Sequence, residues 1–153
     1  MNDLILLVEV NKDHAVLVQA MLDYRNITAE VHVTQSMGEA KSYLLGEYPF
    51  DDSTRHPPPG LVVLDHRLED GTGLELLTWL KELPGFGDLP VVVFTGCRDT
   101  KVRKAVEALG VAGYFLKPEG FDAVGEAIED IVRPNLNQDS RPEAGESGSV
   151  KAG

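Results

Sequence analysis

The chain has 153 residues of ordinary globular composition, enough for one domain with a real core. Fourteen Lys and Arg stand against 25 Asp and Glu, and the net charge of −11 argues against a nucleic-acid surface, which needs clustered basic residues. A lone cysteine, Cys97, excludes an internal disulfide, and no apolar run is long enough for a signal peptide or a membrane span. The expectation is a cytoplasmic protein with neither a nucleic-acid nor a membrane partner.

Leu4-Ile5-Leu6-Leu7-Val8 is an unbroken apolar run and predicts a buried strand that stops at Glu9. Val10 to Asp13 make a short loop. Leu17, Ala20, Met21 and Tyr24 fall at i, i+3, i+4 and i+7, which predicts a helix with one apolar face. Thr28 to Thr34 alternate between apolar and polar residues, as an edge strand would. Ser36-Met37-Gly38-Glu39 is a capping-box pattern opening a second helix, with Ala40, Tyr43 and Leu44 on its face and Gly46 at its end. Residues 47–60 hold Pro49, Phe50 and then Pro57-Pro58-Pro59, so they exclude helix. This loop is long for such a unit, and is either an inert insertion or a contact surface.

Leu61-Val62-Val63-Leu64 is the next buried strand, and it stops at Asp65. A polar loop with two glycines follows. Thr72-Gly73-Leu74-Glu75 is a second capping box, and Leu76, Leu77, Leu80 and Leu83 predict a well-buried helix with Trp79 as packing. After a Pro-Gly turn, Val91 to Phe94 predict a strand ending at Thr95-Gly96. Val102, Ala105, Val106 and Leu109 give the next helix, capped by Gly110. Gly113 to Leu116 predict a fifth strand ending at Lys117-Pro118. Val124, Ala127, Ile128 and Ile131 define the last helix, with Pro134 after it. The domain is therefore expected over residues 1–133. Residues 134–153, without aromatics or periodicity, read as a disordered tail.

Strands alternating with helices imply a parallel sheet with right-handed crossovers. With the second strand at an edge and the first and third central, the fold class is α/β: a flavodoxin-like (βα)5 doubly wound sheet of strand order 2-1-3-4-5. Glu9, Asp65, Thr95 and Lys117 each end an apolar run, so all four fall on one rim of that sheet. Two clustered carboxylates repel and call for a cation. A lysine beside them either binds a phosphoryl oxygen or simply staples the sheet through an ion pair.

Taken together, Leu-Val-Glu9, Val-Val-Leu-Asp65 with Asp70-Gly71-Thr72-Gly73-Leu74, Val-Phe-Thr95-Gly96 and Tyr114-Phe-Leu-Lys117-Pro118 resemble the receiver domain of two-component response regulators. The long loop with Tyr48, Pro57 and Pro59, and the lack of an output domain, look more like the short regulators that partner bacterial phytochromes. The resemblance implies that Asp65 accepts a phosphoryl group from a sensor histidine kinase, so that the protein catalyses its own aspartyl phosphorylation and dephosphorylation. It implies Mg²⁺ held by Glu9, Asp65 and the backbone carbonyl of Arg67. Lys117 and Thr95, with Gly96 beside it, would bind the phosphoryl group, and Tyr114 would be the aromatic switch. It further implies a cis Lys117–Pro118 bond and signalling through the fourth helix, fifth strand and fifth helix, the segments of Val102, Val106, Tyr114, Val124 and Ile128. A homodimer is expected through that face.

Two departures stand out. Val10 occupies a position where the family carries a second acid, which removes one metal ligand and leaves Asn11 as a substitute oxygen. Glu69 replaces the family's proline. An alternative is therefore open: a phosphorylation-independent pseudo-receiver that acts as an interaction module.

Overall fold

A computed structural model describes residues 3–136. In chain order the elements are β1 (Leu4–Val8), α1 (Lys12–Tyr24), β2 (Glu30–Thr34), α2 (Met37–Leu45), β3 (Leu61–Leu64), β4 (Arg67–Leu68), β5 (Gly71–Thr72), α3 (Gly73–Glu82), β6 (Val91–Thr95), α4 (Thr100–Ala108), β7 (Gly113–Leu116) and α5 (Phe121–Asn135). Five strands form one parallel sheet of order β2-β1-β3-β6-β7. Counting that sheet alone, this is the expected 2-1-3-4-5 order, with Glu30–Thr34 at an edge. The two-residue strands β4 and β5 pair antiparallel as a small hairpin, which no sequence signal announced.

The three inner strands are buried at every position, because helices cover both faces of the sheet. Ile5, Leu7, Leu61, Val63, Val92 and Phe94 face α1 and α5. Their neighbours Leu6, Val8, Val62, Leu64, Val91 and Val93 face the cluster built from α2, α3 and α4. Each fully buried Leu or Val contributes about 1.5–3 kcal/mol of transfer free energy, so the two layers hold the sheet from both sides.

The starts of α2 and α3 follow the sequence signals, whereas α1 begins at Lys12, inside the stretch Val10 to Asp13 expected to be loop, because Asn11 caps it. The Asn11 side chain accepts the His14 amide to open α1. Thr72 and Glu75 form a complete capping box at α3. At α2 the box is half made: Ser36 accepts the Glu39 amide, while the Glu39 carboxylate turns back to the Gln35 amide. Gly46 ends α2 in the left-handed conformation at φ 68°, where a side chain would be strained.

Three further expectations need correction. The buried face of α1 is Ala15, Val18, Met21 and Leu22, whereas Ala20 is exposed and Tyr24 is 70% exposed. Two apolar stripes fit the same period, and the one turned to the sheet wins. Helix α5 runs through Pro134 to Asn135, and Leu136 packs into the core. Pro134 sits in the last turn, where it forgoes one backbone bond to the preceding turn, and the Asn135 side-chain amide donates to the Ile131 carbonyl at 2.7 Å. The tail expected from residue 134 lies, beyond residue 136, outside the described residues. Lys117–Pro118 is trans, the isomer an X–Pro bond favours by about 0.5–1 kcal/mol; among the described residues the cis bond is Tyr48–Pro49. The long 47–60 loop, open between an inert insertion and a contact surface, folds back on its own domain. Tyr43 donates its hydroxyl to the Pro57 carbonyl at 2.9 Å, and the Phe50 ring packs on both Tyr43 and His56.

Candidate functional site

The sheet ladder continues one residue past three strands and fixes the base of each key side chain. The Glu9 amide donates to Thr34, the Asp65 amide to Val8 and the Lys117 amide to Thr95. Glu9, Asp65, Thr95 and Lys117 are thereby set on one rim, as the sequence predicts. Lys117 starts beyond the edge strand β7 and uses its long stem to reach across the sheet. Its ammonium lies 2.7 Å from Asp65 Oδ2 and 2.8 Å from Glu9 Oε1. Glu9 is 1% exposed and Asp65 7%.

Burial pushes the Glu9 carboxyl up, but His14, Lys117 and the Asn11 amide outweigh it and hold the group at about 2. Burial likewise pushes the Lys117 ammonium down, and its two carboxylate partners more than reverse this, so it stays protonated above its ordinary range. Two carboxylates therefore share one lysine. Asp65 Oδ1 also accepts the His66 amide at 2.6 Å. Gly73 lies against this turn, and a methyl group there would fall 2.5 Å from the Asp65 carbonyl oxygen.

Thr95 is 1% exposed, and its hydroxyl accepts the Cys97 amide at 3.1 Å. Tyr114, half-buried, donates its hydroxyl to the Cys97 carbonyl at 3.1 Å, while the Arg103 guanidinium lies 4.9 Å over its ring. Burial raises the Tyr114 phenol above its ordinary range, so it is a hydrogen-bond donor at neutral pH. Gly96 has open space where a side chain would stand. It borders a shallow cleft of about 640 Å³ between the β4–β5 hairpin and the Gly96–Asp99 turn, lined by Arg67, Cys97 and Arg98. Arg67 itself begins β4, two residues past Asp65.

The oxygen-rich donor set suits a hard divalent cation, with Val10 as the gap in it. Val10 is 37% exposed and offers no side-chain oxygen. The side-chain oxygen of Asn11, the substitute considered from the sequence, already accepts the His14 amide at the start of α1. Among the described residues, no three His, Cys, Asp or Glu side chains are grouped to hold a metal. A cation at Glu9 and Asp65 would take its remaining oxygens from the Arg67 carbonyl, water or a bound phosphoryl group. The residues fit Mg²⁺ on those terms, with one carboxylate fewer than a full acidic pair would give.

Two participants were given no role from the sequence, His14 unmentioned and Asp70 quoted only as part of the motif after Asp65. His14 Nδ1 lies 3.0 Å from Glu9 Oε1, off the line of a good hydrogen bond, and the ring packs on Phe94 with centroids 5.4 Å apart. Asp70 reaches from the Asp65 loop to the start of α2. Neither partnership follows a helical or strand period, so no local signal marks it.

Residues 5–129 match the family model of the response regulator receiver domain. The chain is 34% identical over 127 residues to response regulator Rcp1 of Synechocystis sp., covering 83% of this chain and 84% of Rcp1. It is 30% identical over 129 residues to the probable methanogenesis regulatory protein FilR2 of Methanothrix harundinacea, covering 84% and 80%. Among solved structures, the phosphorylated cyanobacterial phytochrome response regulator RcpA superposes with a TM-score of 0.80 at 26% identity, over 90% of this chain and 96% of RcpA. The Mn²⁺-bound form of Rcp1 superposes with a TM-score of 0.79 at 27% identity, over 92% and 99%.

Proposed function

The chain belongs to the response regulator receiver domain family, and from that premise we propose that Asp65 accepts a phosphoryl group from the phosphohistidine of a sensor histidine kinase. The observation that carries this reading is the Lys117 ammonium within 2.8 Å of both Asp65 and Glu9 on the rim of the sheet. An ion pair that only stapled the sheet would need one acid. The second acid and the buried Thr95 hydroxyl suit an incoming anion and its counter-cation.

In the transfer, an Asp65 carboxylate oxygen attacks phosphorus. The new O–P bond forms as the P–N bond breaks, and the departing imidazole nitrogen keeps the electron pair and takes up a proton. The transition state is loose, with its charge spread over the phosphoryl oxygens, so positioning and charge do most of the catalysis. Lys117 is already against Asp65 Oδ2 and can turn one N–H to a phosphoryl oxygen. Thr95 accepts from Cys97 and keeps its own proton for another phosphoryl oxygen. Mg²⁺, held by Glu9, Asp65 and the Arg67 carbonyl, would offset the negative charge that crowds there.

Thr95 moving toward the phosphoryl group draws on the Cys97 segment, which Tyr114 holds by its hydroxyl. This carries the signal to the face of α4, β7 and α5. Of the five apolar residues expected in that region, Val106, Val124 and Ile128 point into the core, and Val102 and Tyr114 are partly exposed. A homodimer through this face, and a bacterial phytochrome as the kinase, complete the proposal; the likeness to the cyanobacterial phytochrome response regulator RcpA supports the second.

The test is phosphotransfer from candidate kinases with labelled ATP, followed by mass spectrometry of the labile adduct. Label on Asp65, absent from Asp65→Asn, is expected. If the wild-type chain takes no label from any donor while Val10→Asp does, the pseudo-receiver reading replaces this one.

A further inference from the structure

Asp70 lies at the far end of the loop that begins with Asp65, and it binds groups more than 30 residues away in sequence. Its Oδ1 accepts the Met37 amide at 2.6 Å and its Oδ2 the Gly38 amide at 2.9 Å. These are the first two amides of α2. A helix start leaves such amides without partners of their own. Here Ser36 meets the next two, its hydroxyl taking Glu39 and its carbonyl taking Ala40. Asp70 supplies the rest of the cap from a different part of the chain. A carboxylate in that place is also favoured by the positive end of the helix dipole.

The contact is close-packed on both sides. A methyl group at Gly38 would lie 3.3 Å from Asp70 Oδ2, and one at Gly71 would lie 2.9 Å from the end of Met37. Between Asp65 and this anchor the chain is stiffened. Arg67 pairs with Thr72 and Leu68 with Gly71, and the Gly73 amide donates to the His66 carbonyl at 2.6 Å. The loop is thus a short two-stranded lever with Asp65 at its base and Asp70 at its tip.

We propose that Asp70 is a positioning residue for phosphoryl transfer at Asp65: it hangs the tip of the hairpin on the first turn of α2 and so couples that turn to the state of Asp65. This rests on Asp65 being the phosphoacceptor. Coupling of this kind is reciprocal. Filling the site must be felt at Met37 and Gly38, and releasing Asp70 must be felt at Asp65.

The test uses the full chain, with Mg²⁺ present, as wild type, Asp70→Ala, Asp70→Asn and Ser36→Ala. Beryllofluoride stands in for the phosphoryl group, and amide resonances are followed by NMR. Acetyl phosphate serves as the donor for labelling rates, the Asp65 oxygen displacing acetate from phosphorus. In wild type, beryllofluoride should shift the Met37 and Gly38 amides. In Asp70→Ala that response should vanish and labelling of Asp65 should slow by about tenfold, the scale on which small misplacements act. Asp70→Asn, which keeps one acceptor oxygen, should fall between, and it carries the comparison if Asp70→Ala does not fold. Ser36→Ala removes another cap of the same helix start and should cost stability while leaving labelling at the wild-type rate. Equal labelling in wild type and both Asp70 variants, or silent Met37 and Gly38 amides in a wild type that does take label, overturns the proposal alone. No label on wild-type Asp65 overturns the phosphoacceptor reading and this one with it.

Discussion

Thr95 and Tyr114 hold the two sides of one residue: the Thr95 hydroxyl accepts the Cys97 N–H, and the Tyr114 hydroxyl donates to the Cys97 carbonyl, both at 3.1 Å. A displacement of Thr95 therefore pulls on Tyr114 through Cys97. Tyr114→Phe removes one of the two holds. It should cost about 1 kcal/mol in urea unfolding, the net worth of one hydrogen bond. It should leave labelling of Asp65 intact while weakening any response of the α4–β7–α5 face to it. Loss of labelling in Tyr114→Phe would place the phenol in the transfer itself.

Metal dependence should follow the count of acidic oxygens. Val10→Asp restores a carboxylate beside Glu9 and should tighten Mg²⁺ binding roughly tenfold, since affinity for hard cations tracks ligand charge and number. Calorimetric titration of both proteins measures this, and equal affinities would show that position 10 does not reach the cation. A chelator should abolish labelling in both. Lys117→Ala should impair transfer even at saturating Mg²⁺, because a cation that meets the phosphoryl oxygens has gone.

The buried Glu9 makes a pH prediction with a definite sign. Its carboxyl is held at about 2 in the folded chain, below the ordinary value of 4.5. A lowered acid contributes stability that is present above the ordinary value and is lost as pH falls through the folded one. Urea midpoints should therefore decline between about pH 5 and pH 2, and Glu9→Gln should flatten that part of the curve. Lys117 acts in the opposite sense. Its contribution is complete below the ordinary lysine value and fades only as strong alkali removes its raised proton.

Gly73 should not tolerate a side chain. A methyl group there meets the Asp65 carbonyl at 2.5 Å and His66 Cα at 3.1 Å, both backbone atoms that cannot swing aside. Gly73→Ala should cost about 1–3 kcal/mol, as overpacking does, and should slow labelling by shifting Asp65. Gly87→Ala is the control, because nothing lies within 4 Å of its added methyl. Thermal melts of the two variants give the comparison.

Self-association should appear as a rise in mass with concentration in light scattering, stronger with acetyl phosphate and Mg²⁺. Monomer throughout the series would remove the dimer from the proposed mechanism.

The three inner strands were legible because full burial leaves an unbroken apolar run, and these runs end at Glu9, Asp65 and Thr95 on the rim. The helix caps at Ser36 and Thr72 involve partners three residues away, so their pattern is local; the Asn11 cap is as local but lacks the paired acid of a capping box, and its stretch reads as loop. The α1 face was less legible: Leu17 and Ala15 both fit a 3.6-residue period, and the sheet decides between them. His14 beside Glu9, Asp70 on α2 and Tyr43 on Pro57 are tertiary contacts without a sequence period. The isomer of Lys117–Pro118 was expected from resemblance alone, and nothing in the local residues demanded cis.

The two core layers differ in when their parts leave the ribosome. The layer with α2, α3 and α4 is built from residues between Leu6 and Tyr114. The layer with α1 and α5 includes Ile5 near one end and Leu136 near the other. During synthesis the first layer can close while the second still waits for its last helix, leaving that side of the sheet covered by α1 alone until Leu136 has cleared the exit tunnel. Nascent chains stalled before Leu136 should therefore bind a hydrophobic dye or a holdase chaperone, and chains stalled one tunnel length beyond it should release both.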